Sequence, residues 1–286
     1  MSSIKEIRKR IKSVNNTAKI THAMELVAAA KMKRAQYLAI SGKPYSNLIN
    51  NVLRSIANRI NPESHPLLTR SRGETSAVIF FSTDRGLAGS LNSNLFKQIE
   101  NVVGKTKYIA VGKKASSYVA RTGKDLVADF SLSEKPTLED IRPISKLVID
   151  GFLGGEFDQV HVLYTQFINT LQQEAKIQQV LPIIDEGILA ELAKESEDQG
   201  KNEPIFEPNA DTVLESILPQ YILMELYHIL LEAKASEHSA RMVAMKSATD
   251  NANDLVDDLT LTYNSIRQSA ITNEILDIST AQVAME

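Results

Sequence analysis

Two stretches of this chain, one at each end, run much longer without a helix breaker than the helices of an ordinary globular domain. Residues 1–41 contain neither proline nor glycine, and residues 211–286 contain one proline, Pro219, and no glycine. In the first stretch Ile4, Ile7, Ile11, Val14, Ala18, Thr21, Glu25, Ala28, Met32 and Ala35 recur at alternating spacings of three and four. That is the seam of a coiled coil, with two polar positions. The spacing predicts a helix from Ser3 to Ser41, broken or kinked at Gly42 and Pro44. Periodicity resumes at Leu48, Val52, Ile56 and Ile60 and stops at Asn61-Pro62. In the second stretch Leu255, Leu259, Thr262, Ile266 and Ala270 mark a seam. A helix of ~70 residues there would span roughly 105 Å. Its early part, Leu214 to Leu231, is apolar on nearly every side, which predicts burial all round, under both the N-terminal helix and a central domain.

Charge predicts how the two stretches meet. Residues 1–36 hold 9 Lys/Arg against 2 Asp/Glu, and residues 250–286 hold 7 Asp/Glu against 1 Lys/Arg. Each block has the wrong sign for its own helix dipole. An antiparallel pair sets the basic start beside the acidic end and partly offsets both mismatches.

Between the ends, residues 75–185 read as α/β. The apolar run Ala77–Phe81, the segments Tyr108–Val111 and Asp125–Phe130, the alternating segment Gln159–Gln166 and the segment Glu174–Ile184 predict five strands, the last with Ala175, Ile177, Gln179 and Leu181 on one face. Helical segments separate the first four, so the sheet is expected to be open and mostly parallel. Ligands enter such sheets at strand carboxyl ends, which makes the loop from Asp84 to Asn92 the candidate site. It matches neither the Gly-x-Gly-x-x-Gly nor the Gly-x-x-x-x-Gly-Lys-Ser/Thr pattern. Asp84 has no evident catalytic partner, Arg85 reads as solvated or structural, and His161 lies within a strand. The chain has no cysteine and only 5 scattered histidines, so thiolate chemistry and Cys-ligated metals are excluded, and no cofactor or metal site is predicted. The formal net charge of −3 and the absence of tryptophan speak against nucleic acid as a partner. No apolar run reaches the length of a membrane span, so no direct membrane insertion is expected.

The divisions expected are therefore 1–60 for the N-terminal coiled-coil helix, 75–185 for the central α/β domain, 186–208 for an acidic linker or loop region, and 209–286 for the C-terminal coiled-coil helix. The fold class is α/β: a long antiparallel coiled coil plus a central, open, mostly parallel Rossmann-like sheet domain.

The motifs also carry a resemblance. Thr17-Ala18-Lys19-Ile20-Thr21-His22-Ala23-Met24-Glu25-Leu26 near the start, Ser82-Thr83-Asp84-Arg85-Gly86-Leu87-Ala88-Gly89-Ser90-Leu91-Asn92 in the middle, and the stretches Ala235 to Ala252 and Leu259 to Ile275 near the end resemble the gamma subunits of the bacterial F-type ATP synthase. The resemblance covers the whole chain in order. His22 stands where lysine is common, Asn273 where glutamine is common, and the tail lacks the usual glycine-containing finish.

The resemblance implies a non-catalytic rotor inside a ring of three alpha and three beta subunits, with the epsilon subunit and the c-subunit ring at its foot. It implies coupling of proton flow to ATP synthesis or hydrolysis, the chemistry taking place on the beta subunits. It places the chain peripherally at the cytoplasmic side of the cell membrane, and the lack of a transit-like presequence favours a bacterial cell. It assigns Arg267 and Gln268, with Arg8, Lys9, Arg10 and Met24, to beta-subunit contacts, and Phe206 and Glu207 to the c ring and epsilon. Rival readings are a nucleotide-binding enzyme using the 84–92 loop, a nucleic-acid binder using the basic start, and a coiled-coil scaffold that never turns.

Overall fold

The computed structural model describes residues 4–57, 65–69, 73–100, 102, 104–183, 207 and 209–283. Helix α1 runs Ile4–Ala57. Strand β1 (Thr75–Phe81) follows, then α2 (Leu91–Glu100), β2 (Lys105–Val111), α3 (Lys113–Arg121), β3 (Asp125–Phe130), α4 (Leu138–Leu153), β4 (Gln159–Phe167) and β5 (Gln173–Leu181). Helix α5 spans Ala210–Val283, 74 residues. The Asn209 side chain starts α5 by accepting from the Thr212 amide at 2.8 Å. Among the described residues no helix is long and apolar enough to cross a membrane.

The expected break at Gly42 and Pro44 does not occur, because α1 continues through both. Proline inside a helix forfeits one backbone bond, at a cost of about 3 kcal/mol. Burial of Leu53, with Ile49 and Val52 packed on the same core, offsets that cost. Gly42 has a positive role, since a Cβ there would come within 3.1 Å of the His228 ring. The seam shifts accordingly. Leu48 points to solvent, 62% exposed, whereas Ser46 shares a 2.5 Å hydrogen bond with His228 Nε2. Ile60 and Asn61-Pro62 lie outside the described residues.

The five strands form one sheet in the order β3-β2-β1-β4-β5. β1 pairs in parallel with β2 and β4, β2 with β3, and only β5 is antiparallel, on β4. Alternation divides the strand residues between two cores. Ala77, Ile79 and Phe81 of β1 face α4 and α5, while Val78 and Phe80 face α2 and α3. The expectation for β5 needs one correction. Opposite Val160 and His161 the register slips, so that Leu181 and Gln179 are their partners and Val180 is extra. One extra residue flips the faces. Leu181 therefore joins the α4/α5 core, opposite Ala175 and Ile177.

Two compact units result: Met1–Ala29 with Arg241–Glu286, and Ala30–Ala240. In the second, α5 from Tyr221 to Leu231 is buried or half-buried on every side, against strand residues, α4 and Leu53 of α1. This meets the expectation for that part of the helix, but from Leu214 to Gln220 burial is one-sided, since Glu215, Ser216 and Gln220 are exposed.

Candidate functional site

The first unit contains only the two terminal helices. Of the seam positions read in α1, those from Ile4 to Ala28 are all buried or half-buried. On α5 the inward positions are Met245, Thr249, Ala252, Val256, Leu259, Tyr263 and Ile266, spaced 4-3-4-3-4-3. Leu259 and Ile266 match the sequence reading, but Leu255, Thr262 and Ala270 face outward. The heptad phase is one residue later than the large leucine suggested, because Val256 and Tyr263 complete a seam that Leu255 and Thr262 cannot.

Register and direction follow from a single contact. The hydroxyls of Thr21 and Thr249 lie 2.7 Å apart. If the helices are antiparallel, Ile4, seventeen residues before Thr21, lies level with Ile266, seventeen after Thr249. Burial on α5 ends at that residue: Ile266 is half-buried, and every residue from Arg267 to Ala281 is exposed. A parallel pair would put the end of coverage elsewhere. Several seam positions are small, including Ala18, Thr21, Ala28, Thr249 and Ala252. Small side chains let helix axes approach toward the 8 Å end of the usual range.

Beyond the seam α5 continues alone for about 25 Å, at 1.5 Å per residue over Arg267–Val283. It exposes Ile271 (44%), Ile275 (61%) and Ile278 (64%) at spacings of four and three, an apolar stripe that no described residue of this chain covers.

The second unit resolves the question of the 84–92 loop. The strand order turns between β1 and β4, and in open α/β sheets that switch point is where ligands enter. Here the crevice is filled by the chain itself. Leu230, Ala233, Lys234 and Glu237 of α5 line it together with Ser82, Thr83 and Thr165, leaving a cavity of about 20 Å³, room for about one water. The Lys234 ammonium donates to Glu237 at 3.2 Å, both side chains being nearly buried. The free amides that open α3, which could cradle a phosphate, are also taken. Asp84 Oδ1 accepts from the Lys113 amide, the Thr83 carbonyl from Lys114, and Ser82 Oγ from Ala115. Gly112, at φ 98°, passes so close to Ser82 that a Cβ would sit 2.5 Å from its carbonyl oxygen. The loop is then closed by Asn92 donating to Thr83 Oγ1 at 2.8 Å. Asp84, without an evident partner in the sequence, is thus a helix cap. Among the described residues no group of His, Asp or Glu could hold a metal.

A family model described as ATP synthase matches residues 3–285. The chain is 44% identical over 293 residues to an ATP synthase gamma chain of Opitutus terrae, covering 99% of each. It is 42% identical over 288 residues to one of Dehalococcoides mccartyi, covering 97% of each. The chain belongs to the gamma-chain family of the F-type ATP synthase. Solved relatives share its fold. A chain in the central stalk and c-ring of the Tetrahymena thermophila mitochondrial ATP synthase superposes with a TM-score of 0.60 at 25% identity, over 80% of this chain and 99% of that one. One in the Euglena gracilis mitochondrial enzyme superposes with a TM-score of 0.69 at 20% identity, over 99% and 94%.

The sequence-derived contact residues divide between the two units. Arg267 and Gln268 are the first two residues past the end of the seam, both exposed. Arg8, Lys9 and Arg10 are exposed between the seam positions Ile7 and Ile11. By the Thr21–Thr249 register they lie within two turns of Arg267 along the axis. Met24 is half-buried at the seam, below that level. Glu207 is exposed ahead of α5, and Phe206 lies outside the described residues. Sequence reading missed the serines of α5 that bond to the sheet, Ser236 and Ser239, whose neighbourhood looked merely helical. A cluster of small polar residues where a helix is buried all round is the signal that could have found them.

Proposed function

We propose that this chain is the rotor of a proton-translocating F-type ATP synthase, a non-catalytic subunit that carries torque between the membrane c ring and the catalytic beta subunits. The observation that carries this reading is the bare end of α5. A helix that continues past its last half-buried residue, Ile266, with every residue from Arg267 to Ala281 exposed and an isoleucine stripe among them, is built to be enclosed by other subunits. Three alpha and three beta subunits supply that enclosure, and the epsilon subunit and c ring hold the other end. The chain sits peripherally at the cytoplasmic side of the cell membrane and couples proton flow to ATP synthesis or hydrolysis through its partners.

The physical role is selection among beta-subunit conformations. A partner shifts an equilibrium only by differential contact with its states. The bare end offers different chemistry at different azimuths: Arg267 and Gln268 fall on the side of the isoleucine stripe, and the small polar residues Ser269 and Asn273 on the opposite side. Turning it presents each beta subunit with a different face. Arg267 and Gln268, with Arg8, Lys9, Arg10 and Met24, are assigned here to beta contacts, and Phe206 and Glu207 to the c ring and epsilon. The divisions 1–60, 75–185, 186–208 and 209–286 are retained as rod, sheet domain, linker and rod.

The chain has no cysteine, so a single introduced thiol is unique. Ser269→Cys, exposed on the bare end, joined by a disulfide to a facing beta subunit, is expected to stop ATP hydrolysis coupled to proton pumping in the assembled complex, and reduction is expected to restore it. Full coupled activity in the crosslinked state would refute the rotor. The nucleotide-enzyme alternative is tested by equilibrium dialysis of ATP against the isolated chain, for which no stoichiometric binding is expected.

A further inference from the structure

From Ala235 to Ser239 five consecutive residues of α5 are buried, so the helix is enclosed around its whole circumference there. Four of the five are polar or charged: Ser236, Glu237, His238 and Ser239. A helix enclosed all round would ordinarily be apolar, as α5 is one turn earlier at Ile229, Leu230 and Leu231. The two serines, each 0% exposed, do not bond within the helix as mid-helix serines often do. Ser236 Oγ donates to the Thr165 carbonyl in β4 at 2.9 Å, and Ser239 Oγ donates to the Thr170 carbonyl in the β4–β5 turn at 2.7 Å. The turn replies, since Gln173 Nε2 donates to Ser239 Oγ at 3.4 Å.

We infer that Ser236 and Ser239 are positioning residues that key α5 to the sheet domain, so that rotation of the domain turns the helix without slippage. This inference rests on the rotor reading. Apolar packing holds the helix by shape and is itself non-directional, whereas a hydroxyl–carbonyl bond adds a restraint that loses strength steeply as its angle opens. Spaced three apart, the serines share one face of the helix and differ in height by 4.5 Å at 1.5 Å per residue. One bond would act as a pivot. Two, at different heights and on acceptors five residues apart in the hairpin, oppose both rotation about the helix axis and travel along it. Their acceptors are main-chain oxygens, one within the β4–β5 ladder and one in the turn that joins its two strands, so the load passes into backbone and not into a flexible side chain.

The test uses the assembled complex. The bare end of α5 is locked to a beta subunit through Ser269→Cys, a probe bead is attached through Lys105→Cys on the sheet, and the thermal spread of bead angle is recorded. Ser236→Ala and Ser239→Ala remove only hydroxyls. The double variant is expected to widen the angular variance at least roughly two-fold, with each single variant between it and the parent. Ser216→Ala, an exposed serine bonded to its own helix at Val213, is expected to change nothing. Unchanged variance in the double variant, or in both singles if the double fails to fold by circular dichroism, overturns the key. A parent complex whose bead does not turn under ATP when unlocked overturns the rotor reading instead, so the two failures are distinct.

Discussion

Glu225 illustrates what burial does to a single ionisable side chain in this fold. Burial holds its carboxyl above the ordinary carboxylate value, and the Gln178 amide, donating at 2.9 Å, and Lys176 oppose that only in part. Glu232 is raised as well, first by burial and then by repulsion from Glu225, and one of its oxygens is buried without a hydrogen bond. Nearby Tyr221 is pushed up to about 12 by burial. The native chain therefore binds the Glu225 and Glu232 protons more tightly than the unfolded chain does. Their contribution to stability is complete below the ordinary carboxylate range and drains as pH rises through the raised native values. Glu225→Gln keeps an acceptor for Gln178 and removes the charge. The variant is expected to melt above the parent at about pH 8, by roughly 2–4 °C per kcal/mol recovered, and level with it at about pH 4. Scanning calorimetry at the two pH values checks this, and equal gains at both would contradict it. None of this was legible in the sequence, where Glu225 is one polar residue within a mostly apolar stretch. Which helical carboxylate is buried depends on where β5 lies.

Among the elements, the terminal helices show how far a periodic pattern reaches. Every seam position read in α1 from Ile4 to Ala35 faces inward, because a 3-4 spacing sustained over ten positions leaves one solution. In α5 the pattern was ambiguous. Leu255 and Val256 are both apolar neighbours, and only the partner helix decides between them. Val256→Ala is accordingly expected to cost about 1 kcal/mol and Leu255→Ala less than about 0.5 kcal/mol, as read by chemical denaturation. The reverse ranking would shift the seam. Pro44 is the other instance in which local rules lost to packing. Restoring the missing amide with Pro44→Ala is expected to stabilise the chain by about 1–3 kcal/mol in the same assay. The inner strand β1 was legible because a buried parallel strand reads as an apolar run, and the edge strand β3, whose limits are the same in sequence and structure, because apolar residues recur at alternate positions. The slip at Val180 was not, since it is set by how β5 meets β4.

On the scale of the molecule, the bare end of α5 contributes contacts to partners and none to the chain's own core. Deleting residues from Ser269 onward is expected to leave the melting temperature of the isolated chain within about 1 °C of the parent, because no described side chain there is buried. A drop of several degrees would mean that the end folds back. The switch-point crevice shows the converse. The parallel strands and the loop position were readable and pointed to a ligand site, yet α5 occupies the place a ligand would take.

The sequence by itself determined the two long helices, the α/β centre, the absence of thiol chemistry and, through its terminal motifs, the family. Periodicity and composition are local properties, and each helix or strand satisfies its own backbone and buries its own stripe according to them. Only the tertiary structure decided which residue of α5 faces α1, that Pro44 is spanned, and that serines 236 and 239 grip the sheet. Those outcomes depend on close packing between segments far apart in the chain, 71 residues for Ser236 and Thr165 and 228 for Thr21 and Thr249, where a shift of one residue exchanges an inward side chain for an outward one.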